Sequence, residues 1–163
     1  MNGINQVWQG DMAHYLYGYS KLYTIYITDV YSQEIVGYGA YASNEANKYE
    51  KVMRKAVNRA KSKGIKLNGM IHHSDGGKQY ESGIYKNLCN RHGILQSMCM
   101  YSFENPYAEK TNDLINNGYL NYWKPWTLEE LRACQRNAVI DHNGKRKKKP
   151  YLMAFLPLNL KQN

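Results

Sequence analysis

The stretch Ile71-His72-His73-Ser74-Asp75-Gly76-Gly77-Lys78-Gln79-Tyr80 brings a carboxylate, two imidazoles and a basic residue close together in the chain. A short apolar lead, Met70-Ile71, gives way to polar residues ending at Asp75. Two glycines interrupt, and a helical pattern resumes near Gln79. This order reads as strand, loop, helix. In open α/β sheets ligands sit beyond the carboxyl ends of the strands, so Asp75 is the first candidate for a working carboxylate. Its ordinary use would be to cap the turn or helix that follows. His72 and His73 invite a zinc reading, but neighbours on a strand point to opposite faces and cannot easily share one ion. They read instead as polar residues at a strand end.

Two further acidic residues need a reason for their positions. Asp11 falls inside a strand-like run, where a charge is disfavoured unless something outside the core requires it; an edge or solvent-facing position is the ordinary alternative. Glu109 falls in the first turn of a helix with Pro106 at its first position. There it projects into a cleft, or it complements the helix dipole or is simply exposed, with Asp113 one turn later as the rival position. Asp29, at a strand end before Ser32, is suited to capping the turn.

The elements that must position these residues follow from periodicity. Residues 7 to 43 read as three strands, Val7 to Tyr17, Leu22 to Val30 and Ile35 to Tyr41, joined tightly enough for an antiparallel meander. In the second, Tyr23, Ile25 and Ile27 alternate with Leu22, Thr24, Tyr26 and Thr28. Ser43 or Asn44 can cap a helix running to about Lys63, with Ala46, Tyr49, Met53, Val57 and Ala60 toward the sheet and Lys48, Lys51, Lys55, Arg59 and Lys63 on a solvated face. After the strand ending at Asp75, a helix is expected from about Gln79 to Arg91 with Ile84, Tyr85, Leu88 and Cys89 inside. Gly93 ends that helix, and Ile94 to Cys99 makes a fifth strand. Asn105 then starts a helix on which Glu109, Asn112 and Asn116 form a polar stripe, while Ala108, Ile115 and Tyr119 turn toward the core. Thr127-Leu128-Glu129-Glu130 is a capping box opening a last helix to about His142. Beyond it lies the basic run Lys145, Arg146, Lys147, Lys148 and Lys149.

Composition bounds the rest. A chain of 163 residues fits one domain, burying about two thirds of its unfolded surface. Tyrosine supplies 16 residues against two phenylalanines, so many rings should sit half-buried with the hydroxyl seeking a partner. The net charge of +9 favours a polyanionic partner, since neutralising phosphates releases counterions, although such a charge also serves solubility. Cys89, Cys99 and Cys134 lack zinc spacing and read as reduced and structural. With no long apolar run and no signal peptide, a soluble cytoplasmic protein is expected.

His73-Ser74-Asp75-Gly76-Gly77-Lys78-Gln79-Tyr80 resembles the second catalytic motif of the integrase-like core (DDE type) of bacterial insertion-sequence transposases. Asn5-Gln6-Val7-Trp8-Gln9-Gly10-Asp11 resembles the Trp-x-x-Asp opening of that family. Glu104-Asn105-Pro106-Tyr107-Ala108-Glu109-Lys110 resembles its glutamate-bearing helix. The three lie in the expected order and the resemblance covers nearly the whole chain. It implies a ribonuclease-H-like α/β fold: a mixed five-stranded sheet, the three-strand meander plus two parallel strands, flanked by helices, with the strands of Asp11 and Asp75 side by side. It further implies that Asp11, Asp75 and Glu109 are catalytic and hold two Mg²⁺ (or Mn²⁺) ions. Hard divalent cations suit carboxylates that would otherwise repel one another. On this resemblance the protein cleaves phosphodiesters and transfers DNA strands during transposition. The alternatives are a non-catalytic or truncated DNA-binding remnant and a nuclease of the same fold.

The partners implied are double-stranded DNA, as transposon ends and target, and further copies of the chain when assembled on DNA. Lys78, Lys110 and the run from Lys145 to Lys149 are the expected phosphate contacts, and His72 and His73 would lie near the DNA. A cytoplasmic, nucleoid-associated bacterial protein follows, with no membrane partner. Residues 1–142 would form the core and 143–163 a basic tail. The sequence departs from the family pattern at Gly76-Gly77, where a basic residue usually follows the aspartate. It departs also at Gly10, where threonine is common, and at Lys110, which replaces arginine. The helix-turn-helix that reads transposon ends in the family has no counterpart before Asn5. A core is therefore expected that is a truncated copy, or one that receives end recognition from a separate subunit.

Overall fold

The computed structural model describes residues 3–17, 20–99 and 106–145. Strands β1 (Val7–Tyr17), β2 (Ser20–Asp29) and β3 (Ile35–Tyr41) form the expected antiparallel meander. Strand β4 (Ile71–Ser74) adds to the free side of β1 in parallel, and β5 (Leu95–Met98) adds in parallel to β4. The sheet order is therefore β3-β2-β1-β4-β5, the mixed five-stranded sheet anticipated from the sequence.

Side-chain alternation gives this sheet two cores. Trp8, Ile25, Ile27 and Val36 face helix α1 (Ala46–Ser62), the short helix α2 (Lys78–Glu81) and helix α3 (Gly83–Arg91), packing with Val52, Met53, Tyr80 and Tyr85. Tyr15, Leu22, Tyr26 and Ile35 face the opposite side. There they meet Ile115 of helix α4 (Pro106–Ile115), Leu120 at the end of a π-helical turn (Asn116–Leu120), and Leu131 and Val139 of helix α6 (Leu128–Lys145). A three-residue helix, α5 (Asn121–Trp123), joins the π turn to α6. Both faces of β2 are thus covered, which explains why both of its alternating sets are apolar, aromatic or threonine. At Gly37 a Cβ would lie 2.9 Å from the Val52 carbonyl oxygen, so the missing side chain lets α1 approach β3.

Several local expectations change. Neither Ser43 nor Asn44 caps α1; Glu45 occupies the N-cap without a side-chain bond, and Asn44 instead accepts a 2.5 Å hydrogen bond from the Tyr49 hydroxyl. The helix expected from Gln79 to Arg91 is two helices. Ser82 is extended (φ −61°, ψ 145°), its hydroxyl donates to the Gln79 carbonyl at 2.7 Å, and Gly83 opens the second helix. The break rotates Ile84 outward, where it is 49% exposed rather than inside. Helix α4 starts at Pro106, while Asn105 lies outside the described residues. At the start of α6, Thr127 Oγ1 accepts from the Glu130 N–H at 3.1 Å as a capping box requires. The Glu130 carboxylate reaches back one residue further, to the Trp126 N–H at 2.7 Å. The same helix runs to Lys145, past His142. Cys89, Cys99 and Cys134 form no disulfide. Among the described residues no helix is long and apolar enough to cross a membrane.

Candidate active site

The parallel register of β1 and β4 pairs Gly10 with Ser74. The residue after each is an aspartate: Asp11, within β1 and paired with Tyr26, and Asp75, just past the end of β4, so the two stand one residue beyond a shared register point. Asp75 follows β4 directly, and its Oδ1 accepts the Gly77 N–H at 3.2 Å. The turn-capping use weighed from the sequence is thus realised. Burial raises the Asp75 pKa, and the Gly77 N–H opposes the rise.

Asp11 is the more strongly perturbed. Burial pushes its pKa from 3.8 to about 6; the charges of Asp75 and Glu109 push the same way, and hydrogen bonds from the Met12 backbone and the Asn112 side chain pull against them. Both other candidate carboxylates therefore act on Asp11. Among the described residues, however, no three acidic, histidine or cysteine side chains come together closely enough to hold one metal ion. The donor chemistry still fits a hard divalent cation: a half-buried carboxylate with two like charges acting on it is relieved by an oxygen-seeking cation. Asn112 Nδ2 occupies one oxygen of Asp11, Oδ2, at 2.5 Å.

Glu109 is half-buried in the first turn of α4. The start of that helix is tied to β1 by Gln9, a fully buried side chain whose Oε1 accepts from the N–H groups of Tyr107 at 3.1 Å and Ala108 at 3.3 Å. This is a capping interaction supplied from a distant strand. Gln9 is the residue that sequence reasoning missed, although it lies two positions before Asp11 and hence on the same face of the strand. Asn112 was placed on the polar stripe of Glu109, but its bond to Asp11 was not foreseen. The rival Asp113 is exposed.

The two strand-end histidines find separate partners, and both are buried. His72 is fully buried with Nε2 2.8 Å from the Tyr85 hydroxyl, and burial lowers its pKa to about 3, so it is neutral. His73 is buried with Nδ1 3.1 Å from Ser97 Oγ. Beneath the aspartates, Tyr80 packs edge-on against Tyr49 and Tyr85, with ring centroids 5.0 and 5.3 Å away. Burial raises the hydroxyl pKa of Tyr49 and Tyr80, and the negative charges of Asp75 and Asp11 add to the rise. Gly10 belongs to this layer: a Cβ there would lie 2.7 Å from His72 Cε1 and 3.2 Å from the Tyr80 hydroxyl. The space that a larger residue would need at position 10 is filled here by an imidazole and a phenol.

Lys78 is exposed at the first position of α2, and Lys110 is exposed beside Glu109 on α4. Asp29 is the turn cap expected of it: Oδ1 accepts from the Asn5 N–H, and Oδ2 from the N–H and hydroxyl of Ser32. Lys145 ends α6, while Arg146, Lys147, Lys148 and Lys149 lie outside the described residues, as does Glu104.

The sequence matches the family model described as integrase core domain over residues 2–101. It is 33% identical over 155 residues to the transposase for insertion sequence element IS904 of Lactococcus lactis, covering 90% of this chain and 60% of that protein. It is also 26% identical over 146 residues to a Mycobacterium tuberculosis protein described as a candidate transposase for IS986/IS6110, covering 87% of this chain and 52% of that one. The chain thus spans about half the length of the curated relatives it matches. Among solved structures, the HTLV-2 integrase catalytic core domain in complex with magnesium superimposes with a TM-score of 0.65 at 20% identity, over 87% of this chain and 88% of that one. The catalytic core domain of BIV integrase gives 0.66 at 17% identity, over 88% and 86%. These likenesses bear out the ribonuclease-H-like fold, and the matched sequence places the chain in the integrase core domain family.

Proposed function

We propose that the chain is the catalytic core of a DNA transposase, performing metal-dependent phosphodiester cleavage and strand transfer, with Asp11, Asp75 and Glu109 as its working carboxylates. The observation that carries this reading is the pairing of Gly10 with Ser74, which puts an aspartate next along the chain on each of two neighbouring parallel strands' paths, one of them under the charges of both other carboxylates. Membership of the integrase core domain family and likeness to an insertion-sequence transposase support it. The three carboxylates would hold Mg²⁺ or Mn²⁺, two ions in the full site, supplying charge that activates an attacking oxygen and stabilises a leaving one. Magnesium in the solved HTLV-2 core supports that choice.

The residues of the chain divide the remaining work. Asn112 holds Asp11 Oδ2 and, with the Met12 N–H, orients the carboxylate. The Gly77 N–H fixes Asp75 in the same way. In the first step a water oxygen attacks phosphorus and the bond to the 3′-oxygen breaks, the released oxygen taking a proton. In the second, that 3′-hydroxyl loses its proton and its oxygen attacks the phosphorus of a target phosphodiester, the new P–O bond replacing the bond to the target's own 3′-oxygen, which leaves and takes a proton. Lys78, Lys110 and the basic segment from Lys145 to Lys149 would contact phosphates. Residues 1–142 would act as the core and 143–163 as a basic tail, with several copies assembling on DNA at the bacterial nucleoid and a separate segment or subunit reading the transposon ends.

The test is nicking of supercoiled plasmid, and joining of a labelled 3′-hydroxyl oligonucleotide to it, in Mg²⁺ or Mn²⁺. Both activities should disappear in Asp75→Asn. Activity that survives this substitution refutes the assignment, and nicking without joining identifies a nuclease instead.

A further inference from the structure

Among the described residues five tyrosines are buried in the two cores: Tyr15, Tyr26, Tyr49, Tyr80 and Tyr85. The hydroxyl of Tyr15 donates to the Pro125 carbonyl, that of Tyr49 to Asn44, and that of Tyr85 pairs with His72. Tyr26 lacks so close a partner, but the side chains of Gln135 and Thr24 stand near enough to act on it. Tyr80 differs from all four. It is 2% exposed, and its hydroxyl has no hydrogen-bond partner among the described residues. A buried hydroxyl without a bond disfavours the fold, and phenylalanine would fill the same space without that penalty, so the hydroxyl calls for a reason outside the metal-free fold.

The ring cannot turn away to find a partner. Its backbone N–H donates to the Gly77 carbonyl at 3.0 Å, its carbonyl accepts from Gln96 Nε2 at 3.1 Å, and Tyr49, Tyr85 and His72 pack around it. It also spans the ground between the two aspartates. A Cβ on Gly77 would lie 3.0 Å from Asp75 Oδ1 and 3.5 Å from Tyr80 Cδ2, so carboxylate and ring approach one point where the glycine puts no side chain. A Cβ on Gly10, next to Asp11, would lie 3.2 Å from the Tyr80 hydroxyl at the other end of the ring. Of the two carboxylates, Asp75 is the freer to move. It follows β4 in a turn through two glycines, and its one hydrogen bond among the described residues is the long one from the Gly77 N–H, whereas Asp11 sits inside a strand and is held by Asn112. Burial keeps the Tyr80 hydroxyl protonated, hence a donor, and of the two aspartate charges acting on it that of Asp75 is the larger.

We propose that Tyr80 is a positioning residue for Asp75: its hydroxyl stays unpaired in the metal-free fold and donates to the Asp75 carboxylate when that carboxylate turns to take a divalent cation. The proposal rests on the reading of Asp75 as a metal-binding carboxylate and adds the group that holds it there. The unpaired hydroxyl weakens the empty site, and the bond it forms strengthens the loaded one. Its test compares Tyr80→Phe with Tyr85→Phe in the full chain, by urea unfolding in EDTA and by calorimetric titration with Mg²⁺.

Tyr80→Phe should leave metal-free stability unchanged or raise it, since no bond is lost, and should weaken Mg²⁺ binding about tenfold. Tyr85→Phe takes the partner from His72, so it should lower metal-free stability and leave Mg²⁺ affinity unchanged. A Tyr80→Phe protein that is less stable in EDTA, or that fails to fold, would show the hydroxyl already bonded without the ion and overturn the proposal. Equal weakening of Mg²⁺ binding in both variants would do the same, because the aromatic layer as a whole and not this hydroxyl would then support the site. Wild-type protein that takes up no Mg²⁺ would sink the metal-dependent reading as well. Wild type that binds Mg²⁺ with an unaltered Tyr80→Phe titration would sink only this one.

Discussion

Asp11→Asn should make the metal-free protein more stable at neutral pH while removing its activity. A carboxyl whose folded pKa lies above its unfolded value binds its proton more tightly in the folded state. Its stabilising effect is therefore fully present below pH 3.8 and is lost as pH rises toward about 6, beyond which the folded state must hold an unfavourable charge. Moving a carboxyl from 3.8 to about 6 corresponds to about 3 kcal/mol. Partial water access reduces this to about 2 kcal/mol. Asparagine keeps an oxygen to accept the Asn112 amide at nearly the same volume, so little else is lost. In a chain of 163 residues such a gain raises Tm by about 4 to 8 °C. The assay is thermal or urea unfolding of both proteins in EDTA from pH 4 to pH 8. The variant's advantage should be near zero at the acid end and complete above about pH 6. Saturating Mg²⁺ should then reverse the order, stabilising wild type by about 2.7 kcal/mol at one hundred times its dissociation constant and the variant by less. A variant that is destabilised at pH 7, or whose difference from wild type does not change with pH, would refute the charge-strain account of Asp11.

Other substitutions probe the supports of the site. Replacing Gln9 by Leu removes the acceptor for the Tyr107 and Ala108 N–H groups and should lower urea-unfolding stability by about 1 to 2 kcal/mol. Asn112→Leu should lose a similar amount and raise the Asp11 pKa further, read as an acid-to-neutral shift in the pH profile. In a double-mutant cycle the pair should couple by more than about 0.5 kcal/mol, and strict additivity would mean that the two contacts do not share a helix position. Gly10→Ala forces a Cβ to 2.7 Å from His72 Cε1 and should destabilise by about 1 to 3 kcal/mol; an unchanged Tm would show that the imidazole has room to move.

The meander was legible because period-two alternation of isoleucine, tyrosine and threonine survives burial on both faces, and the ends of β1 and β3 fall where the pattern breaks. The inner face of α1 was legible for the matching reason at helical period, since Tyr49, Met53, Val57 and Ala60 are all buried. What failed were predictions that depend on partners far along the chain. Asn44 looked like a cap but is drawn to Tyr49. Ile84 looked internal until Ser82 broke the helix and turned it outward. His72 and His73 look polar and therefore exposed in a linear reading, yet each meets a hydroxyl, on Tyr85 or Ser97, that makes burial tolerable. The carboxylates could be nominated from their neighbours, but nothing local in the sequence joins Asn112 to Asp11, or Gln9 to Ala108, across 101 and 99 positions.

Those two long-range bonds together explain how Glu109 comes to act on Asp11 at all. Gln9 and Asp11 are two residues apart on one face of β1, a rise of about 6.6 Å. The groups they hold on α4, the N–H groups of Tyr107 and Ala108 and the side chain of Asn112, are four to five residues apart, a rise of about 6 to 7.5 Å along a helix. The two spacings match only when helix and strand run in the same direction, so β1 acts as a ruler for α4 and fixes its height with two bonds. Glu109 lies between those bonds in sequence and so between them in height, level with the stretch from Gln9 to Asp11. A slide of α4 by one residue, about 1.5 Å, would strain both contacts at once. The third carboxylate is therefore set by the strand that bears the first, and substitutions at Gln9 should weaken Mg²⁺ binding although Gln9 itself offers no charge to the ion.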